Sequence, residues 1–193
     1  MNAEERIQLD LGCGPNKQAG FIGVDALSFP GVDIILNFED WEKTWPWEDN
    51  SVDEIHSSHT LEHLTSGVRG GRVHFFNEIY RVLKPGATAR IITPHWSNAR
   101  AYGDPDHKWP PVSDFAFWYI NRAWREANAP HTDMVKRGDG AGFRCNFDWN
   151  LAGTFDPNDS WVSMRNAETK SIHMGRNINC TVDLIANLTK VKE

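Results

Sequence analysis

The 193-residue chain has little cysteine: Cys13, Cys145 and Cys180 are widely spaced and odd in number. No disulfide framework fits that pattern, and a reducing compartment, the cytoplasm, is expected. No apolar run comes near the roughly 18 residues a membrane span needs. The start, Asn2-Ala3-Glu4-Glu5-Arg6, lacks a basic region followed by an apolar one, so no signal peptide is read. A membrane is therefore not an expected partner. Positive charge is also scarce, with 20 Lys and Arg against 26 Asp and Glu and a net charge of −6. Broad binding to a phosphate backbone needs clustered cations, so nucleic acid is not expected either. No internal repeat or low-complexity segment is visible.

What is present suits one soluble globular domain spanning 1–193. Hydrophobic residues make up 40% and charged residues 24%, enough apolar material at this length for a sizeable core. The nine tryptophans are many for this length, and Trp41, Trp45, Trp47, Trp96 and Trp109 fall in expected loops. Loop tryptophans plug the edge of a core or line pockets.

The pattern along the chain is that of an open α/β sheet. Strands are expected at 7–11, from Phe21 to Asp25, at 32–36, at 52–58 and at 89–93. Phe75 to Leu83 places Phe75, Phe76, Ile79, Val82 and Leu83 on one helical face. Lys84-Pro85-Gly86 supplies a cation, a breaker and a glycine to stop that helix. The link from Gly14 to Asp25 is too short for a crossover helix, so a reduced turn is expected there. Residues 95–150, rich in aromatics, Gly, Pro and Asp, read as an inserted lid or substrate region with a helix at about 113–127. The tail from Asn179 to Val191 alternates as a final strand.

The most informative segment is Ile7-Gln8-Leu9-Asp10-Leu11-Gly12-Cys13-Gly14. An apolar strand carrying an acid runs into a Gly-x-Gly turn. Glycine lets the backbone approach a ligand closely and tolerates positive φ. At the carboxyl end of a parallel strand, that is where α/β sheets hold nucleotides. A plain tight turn has the same signature, so the reading depends on the rest of the chain.

Four blocks in order supply that support: Leu9-Asp10-Leu11-Gly12-Cys13-Gly14, Gly23-Val24-Asp25, Asn50 to Ile55 leading into Leu61-Glu62-His63-Leu64, and Glu78 to Gly86. Together they resemble the class I S-adenosylmethionine-dependent methyltransferases. The short link to Asp25 resembles a compact bacterial and phage subgroup of predicted methyltransferases. The resemblance covers about residues 7–95. It implies a Rossmann-like open sheet, mostly parallel, with an antiparallel last strand and three α/β/α layers. The cofactor it implies is S-adenosylmethionine.

Carried over residue by residue, the resemblance brings the backbone of Gly12, Cys13 and Gly14 to the methionyl part of the cofactor, with Asp10 beneath it ordering the loop. Asp25 accepts hydrogen bonds from both ribose hydroxyls, a task suited to a carboxylate. Asn37 and Phe38 fall beside adenine, with Asn37 standing where the family more often has Asp. Ser58 and His59 face the sulfonium and the acceptor. If the acceptor must lose a proton, His59 is the first candidate base, then His107 and His95, because imidazole titrates near neutral pH. A small or medium-sized molecule is the expected acceptor.

Two other readings compete. His59-Thr60-Leu61-Glu62-His63 spells the inverted zinc-protease pattern, which on a helix sets two imidazoles on one face. Zinc would need a third ligand, with His95, Asp106 and His107 as candidates. The block directly follows an expected buried strand, and the methyltransferase resemblance accounts for it without metal, so no metal is assigned. The other rival is a methyltransferase-like binding or scaffold protein without turnover, because fold does not secure function. Cys13 reads as a small filler, since no adjacent cation stabilises a thiolate.

Overall fold

A computed structural model of the chain describes residues 6–132, 142–156, 158, 166–176 and 178–192. Among these residues seven strands form one sheet in the order β3-β2-β1-β4-β5-β7-β6. They are β1 (Gln8–Leu11), β2 (Ile22–Asp25), β3 (Ile34–Ile35), β4 (Val52–Ser58), β5 (Leu83–Pro94), β6 (Phe147–Gly153) and β7 (Asp183–Lys190). Among the described residues the helices are α1 (Gly71–Val82), α2 (Arg100–Gly103), α3 (Asp114–Trp118), α4 (Arg122–Thr132) and α5 (Ala167–Arg176), with a 3-10 turn at Leu61–His63.

β1 to β5 pair in parallel. β7 runs antiparallel to both β5 and β6, so it alone opposes the rest. The strand order reverses between β1 and β4, and the carboxyl ends of those strands are where an open α/β sheet holds its ligand. The Rossmann-like expectation therefore stands, and the tail supplies the antiparallel strand.

The strands are buried where they should be. Leu9, Leu11, Val24, Ile55 and Ile91 are wholly inaccessible. α1 buries Phe75, Phe76, Ile79 and Val82, the face read from periodicity. Each such side chain contributes roughly 1.5–3 kcal/mol on leaving water. Trp45, from the loop before β4, packs on Phe38 and Phe75 with ring centroids 5.5 and 5.7 Å away. Arg81 fastens that loop by donating to the carbonyls of Trp45 and Trp47 and to the carboxylates of Asp49 and Glu78.

Some boundaries differ from expectation. α1 begins four residues earlier, at Gly71, where the Glu39 carboxylate leaves no room for a Cβ. Lys84-Pro85-Gly86 follows the helix but lies inside β5, as an irregularity between the pairs Val52–Leu83 and Glu54–Thr88. No helix fills the link from Gly14 to Ile22, as expected. The helix expected at 113–127 is two helices, α3 and α4. Asn121 breaks it: its side-chain oxygen accepts from the Trp124 N–H at 2.6 Å and caps α4. β6 begins at Phe147, so the last residues of the 95–150 region belong to the sheet.

Candidate active site

The turn after β1 is built by two glycines in the left-handed region, Gly12 at φ 71° and Gly14 at φ 51°. The Gly12 N–H donates to the Val24 carbonyl at 2.7 Å, which draws the turn across the end of β2. A Cβ on Gly12 would lie 1.9 Å from Thr60 Oγ1, so glycine is required for space as well as for conformation. Beneath the turn, the buried Asp10 accepts from the Gln18 N–H at 2.7 Å, and its other oxygen lies 2.8 Å from His56 Nδ1. Both carboxylate oxygens thus have protein partners, and Asp10 orders the loop from below. The Gly14 N–H donates to Asp25 Oδ2, and Leu27 N–H to Asp25 Oδ1, each at 2.9 Å. Each Asp25 oxygen keeps a second lone pair, which a hydroxyl can use.

These residues border a cavity of about 310 Å³ lined in part by Gly12, Asp25, Leu27, Asn37, Phe38, His59 and Thr60. Five of the expected site residues therefore meet: Gly12, Asp25, Asn37, Phe38 and His59. Asn37 accepts from the Glu39 N–H at 3.0 Å through its side-chain oxygen, which makes a local turn. Phe38 is 3% exposed, so it is as much core as lining. Asp10, Cys13, Gly14 and Ser58 adjoin the cavity in sequence without lining it. Burial, then the charges of Asp10 and Asp25, push the Cys13 thiol up, which keeps it protonated. Thr60, Leu27 and Leu64 were not read from the sequence. Their only signal was position, one to two residues after Asp25 and His59 or at the end of the Leu61-Glu62-His63-Leu64 block.

A second cavity, of about 550 Å³, shares His59 and His63 with the first and adds Glu62, Arg100, Asp104 and His107. The five residues from His59 to His63 form no α-helix; only Leu61–His63 make a 3-10 turn. His59 stands in the left-handed region at φ 55°, before the 3-10 turn. The helical geometry of the inverted zinc-protease pattern is therefore not present. His59 Nδ1 instead lies 3.1 Å from Glu62 Oε1, and this contact raises the His59 pKa against an opposing effect of burial.

His107 arrives on the loop after α2. Arg72, 8% exposed, ties that loop to the 3-10 turn by donating to the carbonyls of Leu61, Lys108 and Pro110. The Lys108 N–H completes the clamp on the Glu62 carbonyl at 2.8 Å. The His107 and His63 rings meet edge to face at 4.8 Å. His95 stands apart. It opens on another cavity, of about 510 Å³, beside Asp114, Met174 and Leu184. Its Nδ1 lies 2.7 Å from Ser97 Oγ, and burial lowers its pKa.

A glycine turn at the switch point of a parallel sheet, with an acid closing the next strand, defines a nucleotide-cofactor site of the α/β class. Residues 9–91 match a sequence family described as methyltransferase domain. Over that stretch, which holds the glycine turn and Asp25, the chain is similar to methyltransferase domains, as the resemblance to the class I S-adenosylmethionine-dependent methyltransferases implied. No curated protein matches the chain in sequence. Among solved structures it is similar to an S-adenosylmethionine-dependent methyltransferase from Archaeoglobus fulgidus, at 20% identity over 96% of this chain and 86% of that one, with a TM-score of 0.59. It is also similar to the YcgJ protein from Bacillus subtilis, at 16% identity over 98% and 93% of the two chains, with a TM-score of 0.56. Among the described residues no helix is long and apolar enough to cross a membrane.

Proposed function

We propose that the chain transfers the S-methyl group to an oxygen or nitrogen of a small or medium-sized acceptor held in the second cavity. One observation carries this reading: His59 and His63 line both cavities, so a methyl group presented from the first reaches the second without crossing bulk protein. In this reading Asp25 takes the ribose diol, Gly12 and Gly14 approach the methionyl part, and Asn37 and Phe38 border adenine. The loop from Gly103 to His107, within the region expected to act as a lid, walls the acceptor cavity.

His59 is the group placed to receive a proton, backed by the Glu62 carboxylate as general bases commonly are. His107 serves as an acceptor contact. Net charge of −6 and the cavity's size argue against a nucleic-acid acceptor. We place the enzyme in the cytoplasm, in keeping with its three free buried cysteines. The cofactor supplies the reactive methyl group, and the protein supplies in-line positioning in a dry site.

Two measurements test this. S-adenosylhomocysteine should bind the wild-type protein in a calorimetric titration, and labelled methyl should pass from the cofactor to a small-molecule fraction of a lysate. Tight binding with no labelled product would mark the protein as a scaffold. Label confined to nucleic acid or protein would overturn the acceptor class.

A further inference from the structure

We propose that Glu62, His63 and His107 form a binding site for a divalent ion of the zinc type, at the boundary between the two cavities. The zinc-protease pattern of His59, Glu62 and His63 was set aside in the sequence because the methyltransferase resemblance accounts for that block without metal. The fold brings together a different trio, one that includes a histidine forty-four residues further along the chain.

One ligand atom from each of the three residues lies within 4.8 Å of the others. Tetrahedral zinc, with bonds of about 2.0–2.2 Å, sets its ligands about 3.3 Å apart, so modest side-chain rotations close the site. Two imidazoles and one carboxylate match the donor set of zinc sites that keep a fourth position open.

The surroundings are prepared for this role. His107 Nδ1 lies 3.2 Å from the Ala101 carbonyl, which can only accept, so Nδ1 carries the proton and Nε2 offers its lone pair. A metal-binding histidine held through its other nitrogen by a carbonyl is a recurrent arrangement. Glu62, 4% exposed, is oriented by Thr93 Oγ1 at 3.2 Å and His59 Nδ1 at 3.1 Å. Asp104 places a carboxylate oxygen 3.9 Å from His107 Nε2, at the rim. The Arg72 clamp fixes the loop that carries His107, so the meeting of the two histidines is built into the packing.

The consequence for the acceptor rests on the reading of the second cavity as its site. An ion there, with a position open to the cavity, selects an acceptor bearing an oxygen donor, such as a hydroxyl or hydroxy-acid group.

The test adds cobalt(II) alone to untagged, chelator-treated full-length protein and follows the visible absorption of low-coordinate cobalt, with zinc as the competitor. One equivalent should bind. The affinity should fall by more than about 100-fold in His63→Ala and in His107→Ala, beyond the loss typical of an outer-shell change. His95→Ala should bind as the wild type does. Circular dichroism and urea denaturation of each protein report an intact fold, and His63→Phe and His107→Gln replace any alanine variant that fails them. No cobalt absorption from protein that binds S-adenosylhomocysteine overturns the metal site, as does absorption unchanged in both histidine variants. Cobalt binding without S-adenosylhomocysteine binding upholds the metal site and removes the acceptor role.

Discussion

The Gly14 N–H donates to Asp25 Oδ2 at 2.9 Å, which joins the turn after β1 to the last residue of β2. The bond aims the carboxylate as well as holding the turn, because the Leu27 N–H takes the other oxygen. Asp25→Ala removes both acceptors and the group assigned to the ribose diol. The variant should bind S-adenosylhomocysteine at least about tenfold more weakly, the loss of one charge-assisted hydrogen bond or more. Asp25→Asn keeps one acceptor oxygen and should fall between. Calorimetric titration of the three proteins checks the order.

Gly12 answers to two constraints at once. Its φ of 71° disfavours any side chain, and a Cβ would meet Thr60 Oγ1 at 1.9 Å and Thr60 Cβ at 2.8 Å. Gly12→Ala should destabilise the fold by at least about 2 kcal/mol, the sum of backbone strain and a forced shift. Adding Thr60→Ala should recover only part of the loss, since the backbone cost stays. Urea denaturation of the single and double variants measures both. Full recovery in the double variant would refute the backbone contribution.

The first cavity was legible because the residues that build it are local to strand ends. Gly12, Gly14 and Asp25 lie at strand ends that hydrophobic alternation marks, and turn geometry restricts which residues can stand there. The second cavity was far less legible. His107 reaches His63 through Arg72, and nothing in the sequence around Arg72 says that its guanidinium will collect carbonyls from Leu61, Lys108 and Pro110. The same reason hid β6: Phe147, Trp149 and Leu151 alternate, but a short alternation becomes a strand only when β7 is there to pair with it. His95 follows β5 as expected, yet its backbone N–H pairs with the Val182 carbonyl and its ring turns to the Asp114 side. Proximity in sequence to the sheet's carboxyl edge did not fix the direction of the side chain.

Lys190 makes a further prediction about how the sheet and α1 are joined. Its side chain, 8% exposed at the end of β7, donates to the Tyr80 carbonyl at 2.6 Å, the Leu83 carbonyl at 2.9 Å and Asn50 Oδ1 at 2.7 Å. Two of those acceptors are carbonyls at the end of α1, where a cation also meets the negative end of the helix dipole. Lys190→Met keeps the length of the side chain but strands the acceptors. It should cost about 2–4 kcal/mol, the range for unpairing buried polar groups around a removed charge. Denaturant unfolding gives the value, and a loss below about 1 kcal/mol would mean that water replaces the amine.

His74 on α1 contributes to the acid limb of stability. Burial lowers its pKa, outweighing the charges of Glu78 and Asp40, and its Nε2 is buried without a hydrogen-bond partner. The unfolded chain, with an ordinary value near 6.5, therefore binds the proton more readily than the fold does. The stability that His74 contributes is full above about pH 6.5 and is lost as pH falls from there through the folded-state value. His95 has the same sign, also through burial. His59 has the opposite sign: its raised pKa gives stability below about 6.5 that fades as pH rises. The wild-type curve mixes the three, so the informative quantity is the difference from a variant. His74→Phe keeps an aromatic ring beside Trp45, whose centroid is 6.3 Å away, and removes the titrating group. Its melting temperature should fall less than that of the wild type between pH 7.5 and 5. Parallel curves would show that the buried imidazole is no harder to protonate in the fold than in the unfolded chain.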